Sequence, residues 1–229
     1  MVNSTIPVIA IDGPGGSGKG TIAYRIAGRL GFHLLDSGAI YRIIGLAARQ
    51  GDVPLHDEPA LATLTESLDI AFKLTDNPEN PLSIWLNAQD VTLQIRTNQA
   101  GVDASIVAPL ASVREVVMKL QRSFRQAPGL VADGRDMGTV VFTDAAVKVY
   151  LTATAEERAK RRYKQLKDKD ISVSLQELLK SIQIRDELDM KRDVAPLRAA
   201  PDAVIIDSTA LSTSEVFQQV LTIVEGKLG

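Results

Sequence analysis

Short apolar runs alternate with longer amphipathic segments along most of the chain. Each apolar run covers four or five residues, and several of the runs end on aspartate or lead into a polar loop. This alternation is typical of a parallel β-sheet whose strands are connected by crossover helices. The strands predicted for this sheet are Val8–Asp12, His33–Asp36, Leu130–Asp133, Val147–Leu151 and Ala203–Asp207.

A different pattern interrupts this rhythm between about Asp69 and Thr97. Apolar and polar side chains alternate in Ile70–Leu74 and Leu82–Leu86, and turn-forming residues fill Asn77–Pro81 between them. Alternation with a period of two predicts half-buried antiparallel strands joined by a turn. We therefore expect one doubly wound domain over residues 1–229, with a small antiparallel insert at about residues 66–113.

The first predicted strand runs directly into a glycine-rich segment, which we call the phosphate loop. Gly13 and Gly18 allow the backbone N–H groups to point inward, Lys19 adds a mobile positive charge, and the following helix presents the positive end of its dipole. An ordinary glycine-rich turn is the alternative, but it does not require Gly-x4-Gly-Lys in this register after an apolar strand. The phosphate loop therefore predicts binding of a nucleoside triphosphate by Gly13, Pro14, Gly15, Gly16, Ser17, Gly18, Lys19, Gly20 and Thr21.

One position of the phosphate loop departs from the usual motif. Serine or threonine normally follows the lysine, where its hydroxyl reaches magnesium. In this chain Gly20 follows Lys19 and Thr21 comes next, so the direct protein ligand of the metal stays open. Gly-Lys-Gly-Thr resembles the loop of nucleoside monophosphate kinases such as adenylate kinase, which implies a kinase that acts on a small molecule.

Asp36, Ser37 and Arg42 follow the second predicted strand, at the start of a helix that ends near Gly51. Asp36 and Ser37 have an alternative role as caps of this helix. Arg42 favours a functional role, because a cation in the first turn of a helix opposes the helix dipole unless an anion lies nearby. A bound phosphate would be such an anion.

Arg135 and Asp136 follow the third predicted strand, and Gly134 allows the sharp turn before them. In an open parallel sheet, ligands bind beyond the carboxyl ends of the strands, so we expect the phosphate loop, Asp36–Arg42 and Gly134–Asp136 to converge. The guanidinium of Arg135 suits a phosphate, and the carboxylate of Asp136 suits a base amino group or a metal-bound water. A salt bridge within the turn is the alternative.

A helix predicted from about Ser174 to Arg192 has an apolar stripe with a strip of charged residues along its flank. At 3.6 residues per turn, Arg185, Asp189 and Arg192 fall on that strip. A ladder of surface ion pairs explains the periodicity of these charges as well as a ligand does. The side chains expected to be buried in the stripe are Leu175, Leu178, Leu179 and Ile182.

A second arginine-bearing helix is predicted at Glu156–Lys164, where Arg158, Arg161 and Arg162 share one face. Most charged runs of this kind are solvated helix faces. In a phosphate-transfer enzyme the same arginines have a use as a mobile lid, because they neutralise charge on the transferred group and exclude water. We expect this lid at about residues 155–170.

The composition argues against several kinds of binding partner. The net charge of −2 argues against a protein that coats nucleic acid, and 45% hydrophobic residues are enough for a sizeable core in 229 residues. The chain has no cysteine and only two, widely separated histidines, so we expect neither a disulfide nor a zinc site. The absence of a basic leader and of a membrane-length apolar segment favours a cytoplasmic protein without a membrane partner. We expect a monomer.

Four segments taken together resemble the bacterial cytidylate kinases over nearly the whole chain. They are the phosphate loop, Leu35–Arg42 (LDSGAIYR), Ala132–Phe142 (ADGRDMGTVVF) and Val194–Leu197 (VAPL), in the order typical of that family. The antiparallel insert is also similar to the extended acceptor-binding region that distinguishes these enzymes from the shorter adenylate-type kinases. The resemblance implies a P-loop kinase of the α/β class, with a five-stranded parallel core sheet flanked by helices and a short lid.

The same resemblance implies roles for individual residues. Ser37, Arg114 and Asp136 would bind the edge of the cytosine base. The acceptor phosphate would be held by Arg42, Arg135 and Arg192. The sugar would be contacted by Ser105, Arg185 and Asp189. Asp36 is assigned to the same acceptor site. The residues expected to act in catalysis are Lys19, Arg135, Arg158, Arg161 and Arg162.

The implied reaction is in-line transfer of the γ-phosphoryl group of ATP to CMP or dCMP, with Mg²⁺ bridging the donor phosphates. No catalytic base is needed, because an acceptor phosphate with a second pKa of about 6 is largely an anion at neutral pH. Asp36 and Asp133 are candidates to hold the water shell of Mg²⁺. The alternatives are a kinase for another small-molecule acceptor and a guanine-nucleotide switch, although the Asn-Lys-x-Asp signature of such a switch does not occur in the sequence.

Overall fold

The structure is a computed structural model that describes residues 6–75, 77, 82–168, 173–192 and 194–228. Its strands form two sheets, a five-stranded one in the order β2-β6-β1-β7-β8 and a three-stranded one in the order β3-β4-β5. The strands are β1 (Val8–Asp12), β2 (His33–Asp36), β3 (Ile70–Leu74), β4 (Leu82–Leu86), β5 (Gln89–Asp90), β6 (Leu130–Gly134), β7 (Val147–Thr152) and β8 (Val204–Asp207).

Both sheets have the strand directions that the sequence predicts. In the larger sheet, β2 pairs with β6, β1 with β7, and β7 with β8, all in parallel. In the smaller sheet, β4 pairs with both β3 and β5, in antiparallel directions. Every residue of β1 is buried, as expected for a central strand that is covered on both faces. The α/β fold with a parallel core sheet and a small antiparallel sheet is confirmed.

Eight α-helices lie in the described residues, and the three predicted above, ending near Gly51, at Glu156–Lys164 and at Ser174–Arg192, are among them. They are α1 (Lys19–Leu30), α2 (Ser37–Gln50), α3 (Glu58–Glu66), α4 (Asn98–Val107), α5 (Ala111–Ser123), α6 (Ala155–Lys167), α7 (Leu175–Lys191) and α8 (Thr213–Leu228). A 3₁₀ helix covers Gln94–Arg96, and a π-helical turn covers Met137–Val141. None of the helices in the described ranges combines the length and the apolar character that crossing a membrane requires.

The start of α2 has the cap that the sequence allowed. The Asp36 side chain accepts from the Ala39 N–H at 3.0 Å, which satisfies one of the N–H groups that have no partner within the helix. The capping role of Asp36 is therefore present in the structure.

Part of the predicted insert and lid lies outside the described residues. The predicted turn at Asn77–Pro81 is described only at Asn77, and the predicted lid is described only as far as Asp168. Strand β5 was missed by the sequence analysis, because a strand of two residues is too short to produce an alternating pattern.

The chain forms two compact units. The first unit is Met1–Pro7 with Ala27–Asp133, and the second is Val8–Ile26 with Gly134–Gly229. The first contains the antiparallel sheet and helices α2 to α5, whereas the second contains the phosphate loop and helices α6 to α8. The expectation of one kinase domain with an insert and a lid stays a prediction.

In the first unit, helices α2 and α4 approach each other closely at Gly45. A Cβ atom on Gly45 would lie 2.5 Å from the Cβ of Asp103. The carboxylate of Asp103 is buried and accepts from Arg49 through Nε at 2.5 Å and Nη2 at 2.6 Å. This bidentate hydrogen bond holds the pKa of Asp103 below its ordinary value.

In the second unit, α7 corrects one expectation. The stripe formed by Leu175, Leu178, Leu179 and Ile182 was expected to be buried, but no residue of α7 is buried and Leu175 is 42% exposed. The reason is that α7 packs chiefly against the neighbouring helix α6 instead of lying on the sheet. By contrast, α8 buries five apolar side chains and contacts β7.

Replacing Gly45 by alanine tests the close contact between α2 and α4. Because the added methyl group would lie 2.5 Å from the Cβ of Asp103, the two helices must move apart. We expect a loss of about 1–3 kcal/mol in the free energy of unfolding, measured by urea denaturation. Gly28→Ala in α1 is the matched control, because a Cβ there meets no atom within 4 Å and alanine is the better helix former. Equal losses in the two variants would contradict this packing.

Candidate functional site

The phosphate loop begins where β1 ends. Gly13 lies against β7 with a φ of 148°, and a Cβ on it would be 2.0 Å from the carbonyl oxygen of Leu151, so no other residue fits. Lys19 opens helix α1 and is only 6% exposed. Its Nζ donates to the carbonyl oxygen of Pro14 at 3.1 Å, which keeps the ammonium group folded over the loop. The loop and the start of α1 therefore have the arrangement expected of a phosphate site.

Arg158 of α6 is fixed beside the phosphate loop. It is 4% exposed, and its Nη1 donates to the Gly15 carbonyl oxygen at 3.0 Å. Its Nη1 and Nη2 also donate to the two carboxylate oxygens of Asp186 on α7. A buried guanidinium needs such partners, because burial without them is costly.

Arg161, one turn further along α6, contacts the middle of the loop and Ser208, which follows β8. Its Nη2 donates to the Ser208 carbonyl oxygen at 2.6 Å, and its Nη1 lies 3.5 Å from the Ser17 carbonyl oxygen. The Ser208 hydroxyl in turn donates to the carbonyl oxygen of Thr152 at 2.9 Å. Arg162 is exposed, so the three predicted lid arginines differ in their surroundings.

Arg135 and Asp136 lie between β6 and the π-helical turn. Arg135 Nε donates to Asp189 Oδ2 at 2.5 Å, and a Cβ on Gly15 would lie 3.3 Å from Arg135 Nη2. Asp136 is buried, with Arg192 Nη2 3.8 Å from its Oδ2. The second unit therefore brings four of the predicted acceptor residues into two oppositely charged pairs, and Arg135 borders the phosphate loop.

Two of the predicted base-reading residues lie in the first unit. Ser37 is buried at the start of α2, and its Oγ accepts from Gln121 Nε2 at 2.9 Å. Arg114 of α5 has its Nη1 3.3 Å from the carbonyl oxygen of Ala108 and 3.4 Å from the hydroxyl of Tyr41. Ser37 and Arg114 therefore both have polar partners within the first unit.

Arg42 has partners that the sequence did not indicate. Its Nη1 donates to the carbonyl oxygens of Ile95, at 2.8 Å, and Thr97, at 3.3 Å. Helix α2 starts at Ser37, so Arg42 lies in the second turn and not in the first, and there the helix dipole acts weakly. The dipole argument for a bound anion is therefore wrong. The guanidinium of Arg42 lies against α4, since a Cβ on Gly101 would be 3.2 Å from its Nη2.

The three residues assigned to the sugar have different surroundings. Ser105 on α4 is exposed, and its hydroxyl donates to the Gly101 carbonyl oxygen at 3.0 Å. Arg185 on α7 is exposed as well, whereas Asp189, one turn further on, pairs with Arg135. These three roles stay predictions.

Asp36 is the last residue of β2, and Asp133 is the last but one of the adjacent strand β6. The two residues are register partners in the parallel pairing of β2 with β6. Their backbones are therefore about 5 Å apart, the spacing of neighbouring strands. Within the described part of the chain, no group of three or more histidine, aspartate and glutamate side chains is arranged to hold a metal ion.

Asp12, the last residue of β1, was missed by the sequence analysis. It is 4% exposed, and its Oδ1 and Oδ2 accept from the backbone N–H groups of Met137 at 2.8 Å and Gly138 at 2.7 Å. Burial raises the pKa of Asp12 to about 7, and Asp136 adds to the rise, although the two N–H donors and Lys19 oppose it. The only signal in the sequence was an aspartate directly before the phosphate loop.

Other contact residues were also missed, for a common reason. Asp186, Gln121 and Ser208 are identified only by what their side chains contact in the folded chain, and no motif or spacing distinguishes them.

Of the three segments expected to converge, Asp36–Arg42 belongs to the first unit, and the phosphate loop and Gly134–Asp136 belong to the second. The last two adjoin through Arg135 and Gly15, and the meeting of all three stays a prediction.

The family model described as cytidylate kinase matches residues 9–226 of this chain. The chain belongs to the cytidylate kinase family. The resemblance seen in the sequence motifs is thereby confirmed, and the chain is a member of a family of nucleoside monophosphate kinases.

Individual members of the cytidylate kinase family match this chain over nearly their whole length. A cytidylate kinase of Aeromonas salmonicida is 51% identical over 97% of this chain and 96% of the relative. A cytidylate kinase of Stutzerimonas stutzeri is 53% identical over 95% of this chain and 94% of the relative. A crystal structure of a Thermus thermophilus protein, 20% identical, covers 99% of this chain and 100% of that chain with a TM-score of 0.50, which bears on the fold alone.

The raised pKa of Asp12 predicts a pH-dependent stability. The folded state holds a proton on Asp12 up to about pH 7, whereas the unfolded chain releases it near pH 4. The contribution of Asp12 to stability is thus present at low pH and is lost as the pH rises towards 7. We expect the free energy of unfolding of the wild type, relative to Asp12→Asn, to fall by roughly 1 kcal/mol per pH unit between about pH 5 and 7.

This relative stability is measured by urea denaturation of both proteins at several pH values. The comparison with Asp12→Asn cancels the contributions of other titrating groups, such as Asp103 and Glu58, whose pKa values are lowered. A difference that does not change with pH would show that Asp12 is ionised throughout this range.

Proposed function

We propose that this protein transfers the γ-phosphoryl group of ATP to CMP or dCMP. The observation that carries the proposal is the position of Arg135, which borders the phosphate loop at Gly15 within one compact unit. The family resemblance assigns Arg135 to the acceptor phosphate, and the phosphate loop to the donor. In-line transfer requires the two phosphates to approach at one point, which a shared arginine favours.

The proposed donor site is the phosphate loop, Gly13–Thr21. Backbone N–H groups of the loop and the positive end of α1 would bind the triphosphate oxygens. The ammonium group of Lys19 would exchange its hydrogen bond with Pro14 for a stronger, charge-assisted one to a phosphate. Because this ammonium group is already folded over the loop, little reorganisation is needed when the nucleotide binds.

The proposed acceptor residues of the second unit are Arg135, Asp136, Arg185, Asp189 and Arg192. The paired N–H donors of arginine guanidinium groups suit the acceptor phosphate. A carboxylate such as that of Asp136 can accept a hydrogen bond from the exocyclic amino group of cytosine. Uracil carries a carbonyl oxygen at that position and would repel the carboxylate. The first unit contributes Asp36, Ser37, Arg42, Ser105 and Arg114 to the same proposal, with Ser37 and Arg114 at the base.

The three lid arginines have different proposed roles. Arg158 and Arg161 already donate towards carbonyl oxygens of the phosphate loop, which supports a role in holding the loop and neutralising its bound phosphates. Arg162 is exposed and would contribute only after the nucleotide has bound. Positive charge at the transferred group stabilises the charge that develops in the transition state.

Magnesium would bind here as a hydrated ion. Mg²⁺ usually keeps several waters and is bound by phosphates together with one or two carboxylates, so a protein cage is not required. Asp36, the last residue of β2, and its register partner Asp133 in β6 would hold its water shell. When bound, the ion would neutralise charge on the donor phosphates.

No side chain is proposed as a general base. The acceptor phosphate has a second pKa of about 6 and is already a nucleophilic anion at neutral pH. The protein would therefore act by orienting the two phosphates, neutralising their charge and excluding water. Water is the competing acceptor, since its entry would turn the enzyme into an ATPase.

Lys19→Ala tests the donor half of the proposal. We expect turnover with ATP and CMP to fall by about two to three orders of magnitude, because the variant lacks the ammonium group that would neutralise negative charge on the transferred phosphoryl group. The measurement is a coupled assay of ADP formation, with far-UV circular dichroism to verify folding. Lys180→Ala on the exposed part of α7 is the control and should retain wild-type turnover. Near-normal turnover in Lys19→Ala would exclude the phosphate loop as the site of the reacting triphosphate.

Asp136→Ala tests the acceptor half. Loss of the carboxylate should reduce kcat/KM for CMP by about tenfold or more relative to kcat/KM for UMP, because the cytosine amino group loses its partner. The KM for ATP should change much less. The measurement is the same coupled assay with CMP and UMP as acceptors. Equal losses for both acceptors would remove Asp136 from base recognition.

A further inference from the structure

The carboxylate of Asp12 has no role in the reaction proposed above, although it lies between the two halves of the second-unit site. Its backbone ends β1 and directly precedes Gly13, the first residue of the phosphate loop. Its side chain accepts from the N–H groups of Met137 at 2.8 Å and Gly138 at 2.7 Å. Asp12 thus joins the donor loop to the segment that follows Asp136.

The segment held by Asp12 has little freedom to move in other directions. Met137 is fully buried, and a Cβ on Gly134 would lie 2.7 Å from its Cγ. A Cβ on Gly138 would lie 3.2 Å from the Lys148 side chain and 3.4 Å from Asp12 Oδ2. The turn carrying Arg135 and Asp136 is therefore fixed on its far side by packing and by these two hydrogen bonds.

These two N–H groups open the π-helical turn Met137–Val141. The first N–H groups of a helical segment have no partner within the segment, so an external acceptor is needed when they are buried. Asp12 is that acceptor for both groups. Without it, the turn would have to reorient to satisfy them, and Arg135 and Asp136 would move with it.

We propose that Asp12 is a positioning residue for the acceptor nucleotide, which acts by holding Met137 and Gly138 so that Arg135 and Asp136 face their ligand. This inference rests on the proposed function. The chemical class of ligand is a cytosine nucleoside monophosphate, whose phosphate and amino group would meet the two residues that Asp12 orients.

The donor site should depend much less on this carboxylate. The backbone of β1 is held by its parallel pairing with β7, which includes Asp12 opposite Tyr150. Gly13 is fixed by its close contact with Leu151. The phosphate loop therefore has its own anchors, and the hydrogen bonds of the Asp12 side chain to Met137 and Gly138 lie on the acceptor side.

Asp12→Asn is the test variant. Asparagine keeps the size of the side chain and one acceptor oxygen, but it directs an NH₂ group towards the second N–H donor, so one of the two hydrogen bonds is lost. We expect the Kd for CMP, measured by isothermal titration calorimetry on the full chain at about pH 8, where the Asp12 carboxyl is ionised, to rise about tenfold. The Kd for a non-hydrolysable ATP analogue should change by less than about twofold.

The preference for CMP over UMP is the second measurement. Because Asp136 is displaced together with Arg135, the ratio of kcat/KM for CMP to that for UMP should fall in Asp12→Asn, which a purely structural loss would not cause. Asp57→Asn is the matched control, since the Asp57 carboxylate accepts from the Ala60 N–H at the exposed start of α3. This control should keep the wild-type Kd and preference.

The outcomes separate this inference from the proposed function. If the wild type does not phosphorylate CMP, the proposed function fails, and the inference fails with it. If the wild type is active but Asp12→Asn keeps its CMP affinity and preference, or weakens ATP and CMP binding equally, the inference alone is overturned.

Gly138→Ala keeps the inference testable if Asp12→Asn does not fold. The added methyl group would press on Lys148 and on Asp12 Oδ2, and so would disturb the same hydrogen bonds from the other side. We expect weaker CMP binding with little change in binding of the ATP analogue. Unchanged CMP affinity in Gly138→Ala would overturn the inference.

Discussion

The close fit of the backbone at the carboxyl end of β1 is the constraint on which the second unit depends. There the backbone must turn from a fully buried strand into the phosphate loop, and only glycine fits at position 13, because Leu151 lies against it. One residue earlier, the Asp12 carboxylate satisfies two buried N–H groups of a different segment. The strand end therefore fixes the proposed donor loop through its backbone and the proposed acceptor turn through a side chain.

Buried cations around the loop have protein partners in the described structure. Lys19 donates to Pro14, and Arg158 donates to Gly15 and pairs with Asp186. These contacts offset the cost of burying positive charge. They also hold the cations close to the place where we propose that phosphates bind, so nucleotide binding would replace carbonyl acceptors by charged ones. Such preorganisation is the main means by which a phosphoryl-transfer enzyme can act.

Features with a periodic or motif-like basis were predictable from the sequence. Buried strands such as Val8–Asp12, the alternating pair Ile70–Leu74 and Leu82–Leu86, and the phosphate loop are local patterns with direct structural meaning. Features that depend on the partner across space were not predictable. The stripe on α7 looked like a buried face, but its burial depended on which element α7 packs against. The partners of Arg42 and the role of Asp186 likewise depend on contacts between distant parts of the sequence.

The most direct measurement of the central claim is phosphoryl transfer by the wild-type chain, followed by ³¹P NMR with ATP and Mg²⁺ and with CMP, dCMP, UMP or AMP in turn. The account predicts formation of ADP together with CDP or dCDP, and much slower reaction with UMP and AMP. Hydrolysis of ATP at a rate that no monophosphate changes would contradict it, since a triphosphatase or a nucleotide switch would then explain the phosphate loop better than a two-nucleotide kinase.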